Sequence, residues 1–138
     1  MKRILLLVAM LTLFLSATAL ANTPPSVHQH KWEYVLSSVN TMYYVDVNEE
    51  NILYPANNMA VFYTKSYDKD NKIMVINKWA MKMDNKKLFA RTEWGRMTNY
   101  YTNKTDERTA IGAWREYSVK SILFKCTLYL GKHIKYNK

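Results

Sequence analysis

The chain has one cysteine in 138 residues, Cys126, so no disulfide can form within it. Many small domains lean on such bridges, and this chain must rely on core packing. There are three glycines, at 95, 112 and 131. They are too scattered for a glycine-rich loop that cradles phosphate. The three histidines are His28, His30 and His133. His28 and His30 would share one side of an extended segment, but Glu33 is the nearest acid and a closed zinc site needs about four ligands. No metal site and no cofactor are expected. The adjacent acids Glu49-Glu50 and Asp106-Glu107 fall in polar stretches that set no fixed carboxylate separation for acid–base work. Cys126 lies on an apolar stripe, where burial would raise the thiol pKa and blunt it as a nucleophile. The residues therefore do not point to an enzyme.

The one long apolar run stands at the start. Lys2 and Arg3 precede an apolar stretch over residues 4–15, and Ala19-Leu20-Ala21 offers a small-residue exit. This is the pattern of a secretory signal peptide over residues 1–21. The run is short of the roughly 20 residues that span a bilayer. No later run is long enough, so no transmembrane segment is expected after cleavage. Position 22 is Asn, not the Cys of a lipid-anchored start. Residues 22–138 are expected to form a single β-rich exported domain, in the periplasm, at the cell surface or secreted.

Acids are the scarcer charge: 11 against 20 Lys and Arg, a formal charge of +9. Residues 1–21 carry two of those bases and no acid, so cleavage leaves +7. Such a balance favours anionic partners, namely acidic proteins, sulfated glycans or lipid head groups. Export argues against nucleic acid. Nineteen aromatics, eleven of them Tyr, are abundant enough to serve both as strand formers and as stacking surfaces.

Residues 22–30 read as a polar, mobile leader with Pro24-Pro25. Runs rich in β-branched and aromatic residues at 32–37 and 42–47 predict a hairpin, and residues 48–52 a single helical turn. The organising stretch is 58–94. It reads as strands at 59–67, 73–81 and 88–94, broken by the polar turns 68–72 and 84–86. Residues 97–102 predict a last strand and 103–109 a polar loop. The period then changes. Val119, Ile122, Leu123, Cys126, Tyr129 and Leu130 form one face of an amphipathic helix over 118–130, with Ser118 as N-cap and Gly131 as stop.

Alternation assigns faces. Ile73, Val75, Trp79 and Met81, with Leu88, Ala90 and Trp94, should face the core. Val61 and Tyr63 should point inward and Phe62 outward. Asn77 falls on the core side against its polarity. Lys78, Lys82 and Arg91, with Glu93, should lie on the opposite face, flanked by Lys86 and Lys87 in a turn. These five basic residues are the candidate binding site.

Certain features also resemble a known family. They are Trp32 with Val35, then Tyr43-Tyr44-Val45-Asp46, Ile52, the strand from Met59 to Tyr63 leading to Lys65, and Trp114 ahead of a terminal helix carrying Cys126. Over residues 32–126 this resembles the surface-adhesin protein E family of small bacterial exported proteins. Members commonly carry two cysteines, joining a middle strand to the terminal helix; here the first position falls near Met83 or Asp84, with no Cys. The spacing from Trp114 to Cys126 is also short, and residues 131–138 run past the usual end. The resemblance implies an α+β fold, an antiparallel meander sheet of about six strands with a C-terminal helix packed on one face. For some members it implies attachment to host extracellular-matrix components. The expected role is thus a non-enzymatic binding or adhesion module for host matrix proteins or anionic glycans. The alternative is a periplasmic small-ligand carrier of the haem type, or a structural envelope protein.

Overall fold

A computed structural model describes residues 28–136. The expected signal peptide and most of the leader lie outside the described residues. The fold is α+β, a mostly antiparallel open sheet with one C-terminal helix packed against it. The strands are β1 (Trp32–Ser38), β2 (Thr41–Asp46), β3 (Leu53–Ala56), β4 (Met59–Asp68), β5 (Ile73–Asp84), β6 (Lys87–Asn99), β7 (Lys104–Arg108) and β8 (Arg115–Tyr117), followed by helix α1 (Ile122–Tyr136). The sheet has eight strands, against about six expected. Its main path runs β1-β2-β4-β5-β6-β7, with β3 beside β4 and β8 beside β6.

Turn chemistry sets the meander. Asn85-Lys86 turns between β5 and β6 with φ of 47° and 62°. Two positive φ values match the right-handed twist of the flanking strands. Asp68 caps the preceding turn, accepting from the backbone of Asp70 and Asn71 at 3.0 Å each. Its carboxyl is held below the ordinary range, first by the Asn71 backbone and side-chain hydrogen bonds. The 48–52 turn forms as a 3-10 turn over Glu49–Asn51, with Asn48 capping Glu50 N.

One sheet face meets α1. Val45, Phe62, Met81, Leu88 and Ala90 form the core there with Leu123 and Leu130. Trp79 packs on its edge and donates Nε1 to Thr64 Oγ1 at 2.9 Å. Leu123 and Leu130 are each nearly fully buried, worth about 1.5–3 kcal/mol apiece. Tyr129 hydroxyl donates to Glu33 Oε2 at 2.7 Å, tying the helix to β1.

Several local expectations are corrected. Phe62 is the fully buried core residue, while Val61 and Tyr63 lie on the other face, where they too are buried. Strand β6 runs unbroken through Gly95, and residues 104–108, expected as loop, form β7. Trp94 does not face the helix. The pairing shifts from Lys78↔Trp94 to Trp79↔Thr92, leaving Glu93 as an extra residue. That bulge turns Trp94 onto the far face. The helix begins at Ile122 rather than 118, four residues later than expected, and passes through Gly131. Its N-cap is Ser121, whose Oγ accepts from Phe124 N at 3.2 Å, while Ser118 closes the turn before it. Val119 is consequently exposed.

Candidate functional site

Among the described residues, the face opposite α1 is paved by aromatic and long basic side chains rather than by a second layer. Strand alternation and register align Tyr44, Lys65, Ile76, Arg96 and Glu107 in one row across it, and Tyr63, Lys78 and Trp94 in the next. This arrangement has three parts.

The first anchors β1. Asp46 is fully buried, at the end of β2. Its carboxylate accepts from Lys31 N at 2.8 Å, Asn48 N at 3.0 Å and Asn51 Nδ2 at 2.8 Å, and meets His30 Nδ1 at 2.6 Å. A buried carboxylate is tolerated only when its lone pairs are satisfied in this way. His30 stacks on Trp32 at 4.6 Å and meets the edge of Tyr63 at 4.9 Å. Burial, then Asp46, raises the Tyr63 pKa. His28 exchanges backbone bonds with the Asn51 side chain at 2.9 and 3.0 Å. The end of the expected leader is thus pinned. His28 and His30 pair with different carboxylates, Glu50 and Asp46, and no cluster of metal-ligating groups occurs among the described residues. Among the described residues, no hydroxyl or thiol hydrogen-bonds to His30.

The second part holds most of the basic residues expected as a site. Lys78 and Arg91 share Glu93, at 3.9 and 3.2 Å, and all three side chains are largely covered. Arg91 and Lys82 both stack over Trp114, at 4.7 Å each. Trp114 arrives on a segment docked at the bulge, where Gly112 N donates to Thr92 O at 2.8 Å. Arg91 Nε is buried with no hydrogen-bond partner among the described residues. Lys87 pairs with Glu116 at 3.1 Å, and Lys86 is exposed in the turn. The five residues therefore share one end of the face, where three of them pair with Glu93 and Glu116, two acids against five bases.

The third part was not singled out from the sequence. Lys65 Nζ lies 5.0 Å from the Trp32 ring and 4.5 Å from the Tyr44 ring. No carboxylate among the described residues pairs with it. Burial lowers its pKa. Beside it opens a hollow of about 320 Å³ lined by Tyr44, Lys65, Tyr67, Met74 and Tyr100. Tyr67 and Tyr100 meet edge to face, 6.4 Å apart. Only the alternation of Tyr44, Lys65 and Tyr67 along paired strands could have pointed here.

No family model matches the chain, and no curated protein or solved structure matches it either.

Proposed function

We propose that the protein is an exported, non-enzymatic binding module that holds an anionic partner on the sheet face opposite α1. The observation that carries this reading is the composition of that face, with three tryptophans, several tyrosines, and cations that outnumber the acids beside them. Lys65, Lys82 and Lys86 have no carboxylate partner among the described residues. The formal charge, +7 without residues 1–21, supports it, as does the resemblance to the surface-adhesin protein E family. Host matrix proteins and anionic glycans are partners of suitable chemistry. Lys82 and Lys86 remain the best placed of the five basic residues, since Lys78, Arg91 and Lys87 already have acidic partners.

Retention on immobilised heparin and on an acidic matrix protein tests the reading. The protein should be held at low salt and released as salt rises, because exposed charges are screened beyond about 8–10 Å near physiological ionic strength. Passage through both columns at low salt would sink it.

A further inference from the structure

The hollow beside Lys65 has a more specific chemistry than the face as a whole. Its volume, about 320 Å³, sits at the small end of the range of roughly 300–1,000 Å³ for ligand pockets. That leaves room for a single sugar ring, so the walls rather than the size must select the ligand. Its single cation is fixed by two aromatic rings and lacks a counter-ion among the described residues. A lysine held in this way has its charge directed and partly stripped of water, so an incoming anion meets a smaller desolvation cost on the protein side.

The walls decide what carries that anion. Tyr67 and Tyr100 cross at 72°, so they offer no parallel slot to sandwich a flat aromatic acid. Each offers a face or an edge, which suits the C–H surface of a puckered ring. Tyrosine hydroxyls both donate and accept, as ring hydroxyl groups require. Tyr100 is half-exposed and stands at the rim, and among the described residues its hydroxyl makes only a long contact, 3.6 Å, to Met74 Sδ. The hollow is open on that side, so a chain attached to the bound ring can leave it.

Resting on the binding-module reading above, we infer that this hollow takes one acidic sugar ring of a polyanionic glycan. The carboxylate or sulfate lies on Lys65 and the ring packs against Tyr67 and Tyr100.

Titration of the full chain with a sulfated, uronate-containing heparin disaccharide tests this, read by Trp fluorescence and by NMR shifts of the lining residues. Maltose serves as the neutral comparator and a short poly-glutamate peptide as the non-sugar polyanion. The disaccharide should bind and shift Tyr67 and Tyr100, with maltose and poly-glutamate at least several-fold weaker. Lys65→Gln should weaken it by about tenfold or more, the loss expected for a charge-assisted contact. Lys65→Arg should keep most of the affinity. Tyr100→Ala, at the exposed rim, should weaken binding without threatening the fold. Lys104→Gln, which removes the same charge from the helix side of the sheet, should bind as the parent does. The inference fails if the disaccharide does not bind, if maltose or poly-glutamate binds equally well, or if a folded Lys65→Gln or Tyr100→Ala protein matches the parent. If heparin chains hold the parent while Lys65→Gln is held equally, the hollow is the wrong place and the module reading survives. If neither heparin nor an acidic protein holds the parent, both fall.

Discussion

Two buried residues carry more consequence than their size suggests. Asp46 satisfies two backbone N–H groups and one side-chain amide and pairs with His30, so it fixes the path of the chain into β1. Asp46→Ala strands those donors together. The expected loss is about 3–5 kcal/mol, as for breaking a buried pair, measured by chemical denaturation. A loss below 1 kcal/mol would mean that water replaces the carboxylate freely. The other is Cys126, whose thiol is pushed up from 9.0 to about 11 by burial. A raised pKa means that the folded state holds its proton after the unfolded state has released it. The stabilisation is therefore complete below about pH 9 and lost progressively as pH rises toward 11. Native protein should resist a bulky thiol reagent at neutral pH and react only on unfolding. Rapid labelling in the native state would show the thiol to be accessible. Neither feature was equally legible beforehand. The Cys126 stripe shows in the helical period, whereas the Asp46 partners are brought together by folding from up to 16 positions away. The sign available was an acid set between Val45 and Val47 in an otherwise apolar run.

The elements contain two residues that local preference would exchange. Val39, at the tip of the β1–β2 hairpin, has φ of 51° and is almost wholly exposed. A β-branched side chain there costs about 1–2 kcal/mol. Gly131 sits inside α1 with open space where a Cβ would stand. Glycine in a helix interior costs about 1 kcal/mol relative to alanine. Val39→Gly and Gly131→Ala should each raise stability by roughly 1 kcal/mol, read as a higher denaturation midpoint. A drop in either would assign that residue a contact of its own. Gly131 also explains why the helix end was misjudged: a glycine looks like a stop, but Ile134 beyond it still packs on the core. Strand β7 was missed for another reason. All five of its residues are exposed and four are charged, so it has no apolar alternation to read. Such charge suits an edge strand, because it discourages pairing with another chain. The central hairpins were legible because their breaks are Asp, Asn and Lys. The bulge was not, since one extra residue leaves no mark in composition and yet reverses every side chain after it. Gly95 follows that bulge, and a Cβ there would come within 2.8 Å of Asn77 Oδ1. The missing side chain at position 95 is what leaves room for Asn77 on the apolar face of β5.

At the scale of the molecule, the fold class was readable and the binding face only partly so. Patterning separated Lys78, Lys82 and Arg91 from the core face correctly, but only tertiary packing brings Glu93 and Trp114 against them. The same packing leaves Lys65 without an acid among the described residues. The order of closure also follows from the meander. Strands β4, β5 and β6 each pair with the next in sequence, so the sheet can zip from hairpin to hairpin with little loop entropy. The bond from Tyr129 to Glu33 joins positions 96 residues apart. When the chain is delivered N-terminus first, the helix is thus the last described element to arrive, and until it docks Phe62, Met81 and Ala90 lie on a wet surface. A chain cut before Ile122 should keep its hairpins and lose its dry side, and limited proteolysis of that fragment against the whole chain would measure how much protection the final turns provide.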